Sequence, residues 1–84
     1  MRAIHPAVEI EVLRARGMPQ FVRGASLGGH VVARAGPWRH NSEWWRTAGS
    51  FAREYYELEL GDGGVYRVFR DLNAERWYLD GAYD

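Results

Sequence analysis

The chain has no cysteine and no lysine. Without cysteine there is no disulfide, no thiol nucleophile and no cysteine-ligated zinc. Proline is scarce, at three in 84 residues. No apolar run approaches the roughly 20 residues of a membrane-spanning helix. The N-terminal "MRAIHPAVEIEVLRARG" lacks the apolar stretch and small-residue cleavage pattern of a secretion signal. These absences describe a soluble cytoplasmic protein with no membrane partner.

Acids and bases balance at eleven each, and every base is arginine. Residues 1–42 carry six Arg against Glu9 and Glu11, a net +4; residues 43–84 carry five Arg against nine acids, a net −4. Arginine in place of lysine has two explanations: the codon usage of a GC-rich genome, or partners such as phosphate and carboxylate that suit a planar, bidentate guanidinium. The unequal halves can pair inside one folded unit, the arrangement favoured here, or between copies, so monomer and homodimer both stay open. Zero net charge argues against a strong nonspecific grip on nucleic acid, which comes from charge neutralisation.

What the chain does have is aromatic residues, 14 % of the total, with four Trp, five Tyr and three Phe. Each buried ring removes roughly 150–250 Å² from water, so a small core can be built from few residues. At 84 residues the chain reads as a single β-rich domain, 1–84. In "VEIEVL" Val8, Ile10 and Val12 alternate with Glu9 and Glu11, the pattern of a half-buried strand. Gly17 and Pro19 turn the chain. "QFVRG" reads as a second strand, with Phe21 and Val22 on opposite faces, and "HVVARA" as a third, ended by Gly36-Pro37. Residues 38–53 allow either a short helical turn near 41–47, capped by Asn41 or Ser42, or a strand.

"YYELEL-GDGG-VYRVFR" is two strands around an Asp-Gly turn. Pairing Leu60 with Val65 places Tyr56 opposite Phe69 on a buried face, and Tyr55 with Tyr66 and Arg70 on the other. "RWYLDG" returns as a last strand, with Trp77 and Leu79 buried and Tyr78 joining the outer set. The fold class is therefore mostly β: a small antiparallel barrel, or strongly curved sheet, of five to six strands, since closure removes exposed edges. The expected core is Ile10, Val12, Phe21, Val32, Tyr56, Leu58, Leu60, Phe69, Trp77 and Leu79.

Neighbouring residues in a strand point to opposite faces, so the doublets Trp44-Trp45 and Tyr55-Tyr56 cannot place both rings in one core. The outer rings are either covered by the N-terminal strands or form a partner surface. The candidate surface is Trp44, Trp45, Tyr55, Tyr66, Arg70 and Tyr78, because Trp, Tyr and Arg dominate interaction hot spots.

No chemistry competes with that surface. His5, His30 and His40 lack metal-ligand spacing. No serine lies in a nucleophile elbow. "GDGG" joins two strands, whereas phosphate cradles open a helix. Glu57 with Glu59, and Asp71 with Glu75, fit a solvated sheet face and a loop better than an acid–base pair. No metal, no cofactor and no catalytic residue is expected.

From Gly36 onward the chain carries Gly36-Pro37, Trp44-Trp45, Arg53-Glu54-Tyr55-Tyr56, Tyr66-Arg67-Val68-Phe69-Arg70-Asp71 and Arg76-Trp77-Tyr78-Leu79. This combination resembles a small bacterial family of short standalone proteins, and the C-terminal tail of ImuB, the inactive Y-family DNA polymerase relative of bacterial mutagenesis cassettes. Asn73-Ala74-Glu75 departs from the family pattern. The resemblance implies a non-enzymatic docking role accessory to DNA repair or translesion synthesis, with a protein partner from the replication or repair machinery. It transfers no polymerase activity. The alternative is single-stranded nucleic-acid binding. Arg stands beside an aromatic at Trp38-Arg39, Trp45-Arg46, Tyr66-Arg67, Phe69-Arg70 and Arg76-Trp77, and bases stack on aromatic platforms while Arg tracks the backbone.

Overall fold

Six antiparallel strands follow one another around a closed barrel: β1 (Arg2–Ala15), β2 (Met18–Gly24), β3 (Leu27–Ser42), β4 (Phe51–Leu60), β5 (Val65–Asp71) and β6 (Arg76–Tyr83). This computed structural model describes residues 1–24, 27–42 and 51–83, and only the backbone of residues 40–42 and 51. Residues 41 and 42 continue β3; the rest of the proposed helical turn, with Trp44 and Trp45, lies outside the described residues.

Two long strands close the barrel by serving two sheets each. β1 pairs with β6 through Ile10 and with β2 from Glu11 onward. β3 pairs with β2 through His30 and with β4 from Val31 onward. At this seam β2 ends against β1, and a β-carbon at Gly24 would come within 3.3 Å of the Ile10 Cα. That is a tight approach, and Gly24 also has φ +124°, in the region that favours glycine.

The core is a continuous cluster of Ile10, Val22, Val31, Tyr56, Leu58, Leu60, Val68, Trp77 and Leu79. The expected core held at Ile10, Tyr56, Leu58, Leu60, Trp77 and Leu79, with Val12 partly buried against it. Three positions are corrected. Val32 is 59 % exposed and Val31 is buried in its place, because the pairing with β4 shifts between Val31 and Ala33. On β2 Val22 takes the inner position, while Phe21 lies partly exposed, edge-on to His30. Phe69 is buried, at 4 % exposure, yet outside the core cluster.

Phe69 follows from the β4–β5 turn. Leu60 N–H donates to the Gly64 carbonyl, Gly63 N–H donates to the Leu60 carbonyl, and Gly63 has φ +88°. The Asp62 carboxylate accepts the Gly64 amide, holding the loop. This is a three-residue loop, Gly61 to Gly63, closed by a residue in the left-handed region. Leu60 therefore faces Gly64, and Glu59 faces Val65. The expected pairing of Leu60 with Val65 is one residue out, and a one-residue slip moves every side chain of a strand to the other face. β5 accordingly turns Tyr66, Val68 and Arg70 toward the side of Leu58 and Tyr56, and Arg67 and Phe69 outward.

Two further corrections concern strand limits. β1 begins at Arg2, not Val8, and its pairing with β6 skips from Ala3 to Val8, so Ile4–Ala7 arch away from the ladder. Gly36-Pro37 does not end β3. It forms a bulge between Ala35 and Trp38, after which β3 pairs with β4 again.

Candidate functional site

The register sets four aromatic residues in one row across the outer face: Trp38 on β3, Tyr55 on β4, Phe69 on β5 and Tyr78 on β6. Adjacent strands lie about 4.8 Å apart, and the rings on β4, β5 and β6 meet. Tyr55 and Phe69 centroids are 5.4 Å apart, and Phe69 and Tyr78 are stacked at 5.1 Å. The doublet Tyr55-Tyr56 divides as strand geometry requires. Tyr56 is 3 % exposed and lies beside Trp77 in the core, and Tyr55 faces outward.

Two arginines lie on the row. The Arg53 guanidinium sits 4.2 Å from the Phe69 ring centroid and donates a 3.0 Å hydrogen bond to the Tyr55 hydroxyl. Arg67 lies 5.3 Å from the Tyr55 centroid. Arg67 also holds Asp80 through two bonds of 2.8 and 3.1 Å, which raises its pKa above the ordinary arginine range. Cation–aromatic contacts of this kind contribute about 0.5–2 kcal/mol, more as they are desolvated.

At one end the row opens into a groove of about 530 Å³ lined by Trp38, Arg39, Tyr55, Glu57, Arg67 and Tyr83. Trp38 is 51 % exposed. Its position depends on Gly36, which has φ +106°; a β-carbon there would come 2.6 Å from the Tyr55 carbonyl oxygen and 3.2 Å from the Trp38 ring. Arg39 pairs with Glu54 at 2.9 Å. The Tyr83 hydroxyl donates to Glu57, and this bond lifts the Tyr83 pKa. Ion pairs therefore occupy both groove arginines.

A second cavity, of about 310 Å³, lies between the Ile4–Ala7 arch and Arg53, Arg67, Phe69 and Asp80. The arch and Arg53 together explain why Phe69 is buried on an outer face.

Of the six residues expected at the surface, Tyr55 and Tyr78 share the row, joined by Phe69 rather than Tyr66. Tyr66 packs against the core. Arg70 projects from the core-side face, where it pairs with Glu54 at 3.4 Å and Glu75 at 2.6 Å, and its pKa is raised by the bond to Glu75. Trp44 and Trp45 lie outside the described residues. Sequence reasoning missed Trp38, Arg67 and Tyr83. For Trp38 the usable signal was Gly36-Pro37, since bulges re-aim side chains.

Asp71 and Glu75 are taken up structurally. Asp71 accepts the amides of Asn73 and Ala74 and so shapes the β5–β6 turn, while Glu75 holds Arg70. Among the described residues no cluster of three His, Asp or Glu could hold a metal ion, and no helix is long and apolar enough to cross a membrane. Among the described residues, Arg39–Glu54 and Arg76–Glu9 join residues 1–42 to residues 43–84.

No family model, curated protein or solved structure matches the chain.

Proposed function

We propose that this protein is a non-enzymatic docking module that receives a protein partner on the outer face around Trp38, Tyr55, Arg67 and Tyr83. The carrying observation is an exposed tryptophan, held in place by a glycine bulge, at the mouth of a groove lined by two tyrosines. Rigid aromatic side chains beside arginine make the anchors of protein interfaces at low entropic cost. The resemblance from Gly36 onward favours partners in DNA repair or translesion synthesis.

The row of rings with arginines beside it also favours single-stranded nucleic acid. The ion pairs weigh against that reading. Arg39 and Arg67 are neutralised by Glu54 and Asp80, so phosphates would compete with carboxylates already in place.

A titration with a labelled single-stranded oligonucleotide, at low and physiological salt, separates the two. The docking reading expects no binding even at low salt. It also expects tagged protein to retain a nuclease-resistant partner from lysate that the Trp38→Ala variant loses. Salt-sensitive oligonucleotide binding with quenching of tryptophan fluorescence would replace docking with the nucleic-acid reading.

A further inference from the structure

The pairing of β6 is broken at one place on both of its sides. Against β5 it passes from Arg67↔Gly81 to Val68↔Leu79, and against β1 from Ala3↔Gly81 to Val8↔Leu79. Asp80 therefore stands opposite no residue in either ladder. Bulges of this kind bend a strand and re-aim its side chains. Here the bulge turns Asp80 to Arg67 on the outer face, while Ile4–Ala7 arch over the gap. The two irregularities together open the cavity of about 310 Å³ under the arch. It is separate from the Trp38 groove, and the two have only Arg67 in common.

The cavity has two unlike sides. On one side its lining carries the guanidiniums of Arg53 and Arg67 against the single carboxylate of Asp80, and the arch adds His5 as a further hydrogen-bonding group. Both guanidiniums are already positioned. Arg67 donates Nε and Nη2 to Asp80 at 2.8 and 3.1 Å, which leaves its Nη1 with no hydrogen-bond partner among the described residues. Arg53 lies over the Phe69 ring and donates to the Tyr55 hydroxyl. Donors fixed in advance lose little freedom when an anion arrives, and the planar guanidinium matches a carboxylate. On the other side Phe69, Ala3, Pro6 and Ala7 present ring and alkyl surface. Ligand pockets begin at about 300 Å³, and at about 30 Å³ for each water-sized group this one has room for roughly ten. The complement of such a space is one negative charge on a short apolar body. We infer that the cavity under the Ile4–Ala7 arch binds a small organic carboxylate, with its anionic end at Arg67 and its apolar end between Phe69 and Pro6.

The test titrates the intact, isotope-labelled protein with benzoate, benzyl alcohol and inorganic phosphate at constant ionic strength. Benzoate should give saturable chemical-shift changes at the amides of Ile4, His5, Ala7 and Asp80 and at the Arg67 side chain. Benzyl alcohol has the same ring and no charge, and it should bind about tenfold more weakly or worse, as for the loss of a charged hydrogen bond. Arg67→Gln should weaken benzoate by a similar factor. Ala3→Leu fills the cavity from an exposed position and keeps Arg67 and Asp80, so it should abolish the shifts even if Arg67→Gln does not fold. The amide spectrum of each variant shows whether its fold is intact. Equal binding of benzyl alcohol would overturn the anionic assignment, and tighter binding of phosphate would overturn the organic one. Shifts that never saturate, that centre on Trp38, or that survive Ala3→Leu would overturn the site itself.

Discussion

Arg53 places its guanidinium 4.2 Å from the centre of the Phe69 ring, on a face of the sheet where the alternation of β4 and β5 predicts Arg70 and Tyr66. The contact lets a phenylalanine stay buried outside the barrel interior. Phe69→Ala removes this ring, the tilted contact of Tyr55 with it and the stacking of Tyr78 on it. It should cost about 3–5 kcal/mol in urea unfolding, as for other buried Phe truncations. Arg53→Gln should cost only about 1 kcal/mol. A Phe69 variant of near wild-type stability would mean that the row is not a structural unit.

The bulge before Trp38 gives a second prediction. Gly36 has φ +106°, and a side chain there would strike the Tyr55 carbonyl and the Trp38 ring. Gly36→Ala should destabilise the fold by about 1–3 kcal/mol and shift tryptophan fluorescence, because Trp38 must move. Gly17→Ala, at another positive-φ glycine with nothing within 4 Å of the added carbon, should lose about 1 kcal/mol and leave the fluorescence unchanged.

The interior offers a pH dependence. Burial first, and then the charge of Glu54, push the Tyr56 phenol above its ordinary value near 10. The folded chain thus keeps this proton to higher pH than the unfolded chain. Its contribution is fully present below about pH 10 and declines as pH rises through the folded value. Tyr56→Phe should flatten the alkaline fall in stability measured by denaturant unfolding. An unchanged slope would assign that fall to other groups.

Much of the fold is legible in the sequence because strand alternation carries it. Tyr56, Leu58 and Leu60 face inward on β4, and Trp77 and Leu79 on β6, as period-2 patterning requires. β5 is not legible in the same way. "GDGG" accommodates a four-residue loop or the three-residue loop that forms, and both of its faces carry aromatic residues, so hydrophobicity does not choose between them. The sequence pattern therefore puts Tyr66 and Arg70 on the outer face, and in the structure Phe69 occupies it. Trp38 escaped notice because Gly36-Pro37 looks like the end of a strand, while in three dimensions it is a bulge inside one.

The most direct test of the docking surface is chemical-shift mapping of isotope-labelled protein titrated with a partner that the wild-type protein retains from lysate and the Trp38→Ala variant does not. The account predicts perturbations centred on the Trp38 indole and the amides of Tyr55, Glu57, Arg67 and Tyr83, with the β1–β2 turn at Arg16 and Gly17 unmoved. Perturbations centred on that turn, or none at Trp38, would contradict it.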